Sequence, residues 1–204
     1  MIKLTIVRKY FHGIIVAVYL PGIFFDPDLL FLASAITLAI FLLMEAIRVC
    51  DIPPFGDVLR DRLRAFVDEK DQGCLILTHI YLLVGCSLPL WISPTIRNTQ
   101  PSGILRLCSG IISLGIGDTA ASIGGTRWGK RRMPRSKKTV EGLFCSFMAE
   151  IAFIAILQPM GFFGRGPFPW IKFTIAALIT STIEATTSQV DNFILPLVMY
   201  IVVV

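Results

Sequence analysis

Apolar residues come in long unbroken runs, and polar residues are confined to short clusters between them. The runs fall at about 12–25, 29–49, 74–93, 104–123, 143–163, 170–188 and 193–204. At 1.5 Å of rise per helical residue, about 20 residues match the ~30 Å hydrocarbon layer, and most of these runs approach that length. None shows the strict alternation of a half-buried strand. The pattern predicts an all-α protein, a polytopic transmembrane helix bundle of about six to seven membrane segments forming a single domain over 1–204. The first run carries Pro21-Gly22, and the last, 193–204, spans only ~18 Å as a helix.

The segment Asp51–Gln72 is polar, yet Leu59, Leu63, Phe66 and Val67 recur at helical spacing within it. That pattern predicts a short amphipathic helix over 58–67 lying on the membrane surface, followed by a solvated acidic cluster at Asp68, Glu69 and Asp71. Composition agrees with this picture: 54% of residues are hydrophobic and 16% charged. The net charge of +5 does not point to nucleic acid, because the cations sit in loops between apolar runs, where they set membrane orientation. The five cysteines have no Cys-x-x-Cys spacing and read as packing residues. No cleavable leader pattern precedes Arg8 and Lys9.

One stretch breaks the apolar monotony. In the stretch Leu114–Gly142 one carboxylate, Asp118, stands among Gly115, Gly117, Gly124, Gly125 and Gly129, and seven Lys or Arg fall between positions 127 and 138, ahead of Glu141. Glycines let backbone N–H groups approach an anion, while lysines and arginines add charge and donors for phosphate oxygens. A carboxylate beside phosphate needs a divalent metal between them. The residues therefore predict a phosphate-binding segment over 114–142. The simpler alternative is a topology signal or a contact with anionic lipid.

The compound order of this stretch resembles the nucleotide-binding signature of the CTP-dependent polyprenol kinase family, above all the carboxy-terminal catalytic region of dolichol kinases. The family pattern, Asp-x-x-Ala-x-x-x-Gly-x-x-x-Gly, a basic spacer and Lys-Lys-Thr-x-Glu-Gly, falls on Asp118, Ala121, Gly125, Gly129, Lys137, Lys138, Thr139, Glu141 and Gly142. Met133 stands where many members carry Trp. Two further stretches carry the resemblance: Arg8-Lys9-x-Phe11-His12, which is similar to the opening of the catalytic region in polyprenol and phytol kinases, and Glu184-Ala-x-x-x-Gln-x-Asp191-Asn192 before Leu195-Pro196-Leu197.

The resemblance implies a lipid kinase moving the γ-phosphoryl group of CTP to a polyisoprenoid alcohol, most naturally dolichol, with the dolichyl phosphate serving protein glycosylation. It implies a multi-pass protein of the endoplasmic reticulum membrane with its nucleotide loop and active site facing the cytosol. Gly117, Asp118, Ala121, Gly125, Gly129, Lys137, Lys138, Thr139, Glu141 and Gly142 would bind nucleotide. Asp118, Lys137, Lys138, Glu184 and Asp191 would carry catalysis, with Asp118 and Asp191 on a divalent metal, Mg²⁺ by default and Ca²⁺ as the alternative. Dolichol kinases are usually longer, so the chain reads as a fragment or short form. Phytol, farnesol and diacylglycerol kinases share the expected fold. Phosphatidate cytidylyltransferase shares part of the motif but ends in Lys-Arg, Lys-Asp and His-Gly-Gly elements missing from 184–204. A scaffold or transport subunit gripping anionic lipid is the non-enzyme alternative.

Other ionisable residues fill out the candidates. His12 suits either interfacial packing or a phosphate contact. Glu45 and Arg48 lie three apart, a spacing that predicts an ion pair on one helix face. His79 inside an apolar run predicts a hydrogen-bonded packing residue. Glu150, mid-run, must face the bundle, since a charge facing lipid is costly. Glu184, Ser188 and Asp191 share a face if one helix spans them, although Asp191-Asn192 would equally cap a new helix. Alternation through seven spans puts the amino terminus and the loops 51–72, 125–142 and 189–192 on one side. That side holds nearly all loop cations, so it is expected to be cytosolic.

Overall fold

The computed structural model describes residues 2–54, 56, 78–93, 100–134, 136, 138–164, 166–187 and 191–203, with side chains except at 2–8, 78 and 191. The helices are α1 (Ile2–Phe25), α2 (Pro27–Val49), α3 (Thr78–Ile92), α4 (Pro101–Leu107), a π-helical segment π1 (Ile111–Asp118) running into α5 (Thr119–Trp128), α6 (Val140–Leu157), α7 (Trp170–Thr186) and α8 (Asp191–Val203). Among the described residues no strand forms, and an isolated bridge joins Arg132 to Thr139. The expected surface helix at 58–67 and the acidic cluster at Asp68, Glu69 and Asp71 lie outside the described residues.

Local chemistry sets the element ends. Asp26 separates α1 from α2: its Oδ1 accepts the Leu29 N–H at 3.2 Å, and Pro27 occupies the first turn, where a missing N–H costs nothing. Thr139 opens α6 the same way, its Oγ1 accepting the Gly142 N–H at 3.2 Å.

Among the described residues two helices, α2 and α6, are long and apolar enough to cross a membrane, and α4 with π1–α5 makes a third if that bent pair is one span. These account for two or three of the six or seven spans expected from the apolar runs, and shorter apolar helices lie at Lys9–Phe25, His79–Ile92 and Asn192–Val203. The expected 104–123 span is broken by a bend of 61°. Its turn contains Gly110, whose missing Cβ lets the chain press on the backbone of Gly85 and Cys86 in α3. α2 buries Leu30, Ser34 and Glu45 and exposes Leu29, Phe31, Leu32, Ile36, Ile40 and Leu43, the outward face a lipid solvent favours.

The core is built on π1, where Ile111, Ile112 and Leu114 are buried against Leu105, Ile154, Phe173, Leu195 and Met199. Polar pairs tie the outer helices in: Tyr19 and Ser87 hydroxyls meet at 2.5 Å, and Trp91 Nε1 donates to Ser34 Oγ at 3.0 Å. His79 packs edge-on against Phe41 with ring centres 5.0 Å apart. Cys86 and Cys108 are buried free thiols, the packing role expected of them.

Candidate active site

Gly115 fixes how α1 meets π1. With no side chain there, Val16 of α1 lies directly over the π1 backbone. One helical turn back from Val16 is His12, and three residues before that is Lys9; three residues on from Gly115 is Asp118. The crossing therefore delivers both α1 side chains to Asp118. Lys9 Nζ donates to Asp118 Oδ2 at 2.6 Å and to its carbonyl at 3.0 Å, and His12 Nε2 lies 3.2 Å from the same Oδ2. His12 is thus buried against the site carboxylate, a contact that differs from both the interfacial packing and the phosphate contact held open for it.

The basic stretch folds back on itself before α6. Met133 N–H donates to the Lys138 carbonyl and Val140 N–H to the Arg131 carbonyl, both at 2.9 Å. The Glu141 carboxylate accepts the Arg131 N–H at 3.2–3.3 Å, so this acid secures the loop backbone. Lys138 is aimed across to the end of α7, where its Nζ donates to the Glu184 carboxylate at 2.8 Å and the Glu184 carbonyl at 2.5 Å.

The glycines behave differently from the expected cradle. Positions 114–128 are helical, so the backbone N–H groups of Gly115, Gly117, Gly124 and Gly125 lie within helix rather than an open loop. Gly124 faces Cys145, Gly125 faces Thr139, and Gly142 faces the Ala121 carbonyl, which draws α5 and α6 into backbone contact. Gly129 closes α5, with its N–H on the Gly125 carbonyl at 3.1 Å. Gly117 faces the Glu150 carboxylate, which occupies the space a Cβ would need. Because Gly117 precedes Asp118 in the chain, that contact brings Glu150 of α6 up to the residue next to the site carboxylate.

Exposure is graded across the site. The side chains of Lys138, Asp118 and Lys9 are 28%, 20% and 17% exposed, whereas His12 and Glu184 are near 5%. Charge thus forms a rim reachable from water, backed by a dry interior. Glu45, another candidate, is taken up by a forked contact from Arg48 at 2.6 and 2.9 Å, the local pair its spacing predicts. The side chains of Arg8 and Asp191 and the whole of Lys137 and Ser188 lie outside the described residues. Ser146, Thr180 and Ser181, buried beside Glu150, were missed from sequence; a serine or threonine in an apolar run usually bonds its own helix, so nothing marked them.

An all-helical protein with membrane-length apolar helices, carrying paired carboxylates and cations at converging helix ends, is a membrane-embedded protein with a polar site at its edge. The chain belongs to the dolichol kinase family. The family model described as dolichol kinase matches residues 3–158. The chain is 44% identical to dolichol kinase of Mus musculus over 97% of its own length and 38% of the relative's. It is also 44% identical to that of Homo sapiens over 97% and 37% of the two chains. Against dolichol kinase of Saccharomyces cerevisiae it is 31% identical over 98% and 37%. The chain therefore spans under two fifths of the length of these curated relatives. No solved structure matches it.

Proposed function

We propose that the chain is the catalytic region of a lipid kinase that transfers the γ-phosphoryl group of CTP to the hydroxyl of dolichol, in a multi-pass arrangement of up to six or seven segments. The observation that carries this reading is the convergence on Asp118, within the family motif, of His12 and of Lys9, which is 109 residues away in sequence. A site that gathers cations around one carboxylate suits a polyphosphate bound with a metal.

The oxygen chemistry at Asp118 fits a hard divalent cation. Mg²⁺ typically takes one or two carboxylates and completes its shell with phosphate and water. At the next residue in the chain, Thr119, a buried hydroxyl has no hydrogen-bond partner among the described residues. In the proposed site substrate oxygens and water complete the shell, with Asp191 as a second protein donor. When bound, such a metal neutralises charge on the phosphate oxygens. Lys9 then holds the Asp118 carboxylate in place and adds positive charge to the rim. Lys138, with Lys137 beside it in sequence, offers charge to the transferred group as negative charge develops on it. The dry interior behind them admits the alcohol end of a lipid and keeps water from competing as acceptor.

Membranes carrying the chain, given γ-labelled CTP and dolichol, are expected to form dolichyl phosphate, with ATP, phytol, diacylglycerol and phosphatidate much poorer substrates. Preference for phosphatidate with release of diphosphate would replace the kinase reading by a cytidylyl transfer. The site is proposed to face the cytosol of the endoplasmic reticulum membrane, where positive loops are retained. A glycosylation acceptor inserted at 127–136 should stay unmodified and one at 94–101 should be used; the reverse pattern overturns that orientation.

A further inference from the structure

Three acids are buried among the described residues, Glu45, Glu150 and Glu184. Glu45 has Arg48 and Glu184 has Lys138, each within 2.8 Å. Glu150 is the most deeply buried, 1% exposed, and among the described residues no cation lies within ion-pair distance of it. Its hydrogen-bond partner is Thr180, whose Oγ1 is 3.4 Å from Oε2. That hydroxyl also points to the Ala176 and Ala177 carbonyls at 2.9 and 3.1 Å, and its single proton cannot serve all three. A carboxyl so poorly matched inside a bundle is costly, and the usual return is function.

The surroundings indicate what it serves. Gly117 gives up its side-chain space to this carboxylate, which puts Glu150 against the residue preceding Asp118. Ser146, one turn away on α6, meets Ser181 of α7 at 3.3 Å, so hydroxyls line the interior next to Glu150. Such a site does not suit an anion. It suits a neutral hydroxyl, which donates to a carboxylate and accepts from Ser or Thr, arriving on an apolar chain from the bilayer.

We propose that Glu150 binds the hydroxyl of the lipid alcohol and accepts its proton during transfer. The assignment rests on the kinase reading and deepens it. Glu184 is committed to Lys138. As the alcohol O–H proton passes to the Glu150 carboxylate, the alcohol oxygen bonds to the γ-phosphorus. The bond from that phosphorus to the bridging oxygen breaks, and its electron pair leaves on the nucleoside diphosphate. Glu150 afterwards returns the proton to water.

The test is Glu150→Gln, which keeps shape and the Thr180 contact, assayed with CTP saturating and membrane content matched. The expected result is a ~100-fold fall in kcat, the scale of a lost proton acceptor, with equilibrium binding of CTP to the detergent-purified chain within twofold of wild type. Activity within threefold of wild type, or loss of CTP binding in step with turnover, overturns the proposal. Should Glu150→Gln fail to accumulate, Thr180→Val decides: a rise of about fivefold in KM for dolichol at unchanged KM for CTP supports the site, and an unchanged KM for dolichol overturns it. A wild-type chain that transfers nothing to any alcohol removes the kinase reading itself, before any variant is compared.

Discussion

Asp118→Asn is expected to lower phosphoryl transfer at least ~1000-fold while the protein still inserts and accumulates. The amide keeps an oxygen for Lys9 Nζ, now at 2.6 Å from the carboxylate, so the loss to folding is that of weakening one charge-assisted hydrogen bond, about 1–2 kcal/mol. What disappears is the negative charge that a divalent cation requires, and with it charge neutralisation at the phosphates. The measurement is initial rate at saturating CTP and raised Mg²⁺, normalised to membrane content. Turnover within tenfold of wild type would remove Asp118 from the metal. Nor is stranded Lys9 charge an explanation for a loss, because Lys9→Met with Asp118→Asn removes that charge and should not restore activity.

Lys137→Gln with Lys138→Gln is expected to reduce transfer several hundredfold, against about threefold for Arg131→Gln with Arg132→Gln. Each pair removes two charges, so attraction to anionic lipid, roughly 1 kcal/mol per cation, falls equally in both. Position separates them. Lys138 reaches across to the end of α7 and is held by two contacts to Glu184, whereas Arg131 contributes backbone groups to the loop closure and its side chain is exposed. Charge held in place where negative charge develops is worth far more than charge nearby. Equal losses in the two double variants would make the loop a membrane anchor and put the transfer site elsewhere.

Much of the local structure follows from local pattern. The α1–α2 boundary was legible as the gap between the apolar runs 12–25 and 29–49, where Asp26 caps α2 and Pro27 opens it. The Glu45–Arg48 pair was legible because three residues make nearly a full turn. Asp118 stood out as one carboxylate among glycines and cations, and Glu150 because a charge in an apolar run cannot face lipid. Apolar runs were a poorer guide to spans. The run at 104–123 looks continuous in sequence, yet Gly110 lets the chain bend by packing against α3, a partner no periodicity reveals. The glycines also misled: their freedom suited a phosphate loop, but Gly124, Gly125 and Gly142 are spent on bringing α5 and α6 together.

Sequence alone therefore determined the helical class, the motif around Asp118 and the residues whose polarity demands an explanation, because each is written within a few turns of chain. Only the tertiary structure decided which of them meet. Lys9 reaches Asp118 across 109 residues and Lys138 reaches Glu184 across 46, separations over which spacing says nothing about facing. Those meetings depend on where helices can approach closely, at Gly115 under Val16 and at Gly117 under Glu150. A missing side chain looks the same in sequence whether it frees the backbone for a ligand or makes room for a neighbouring helix, and only packing distinguishes the two.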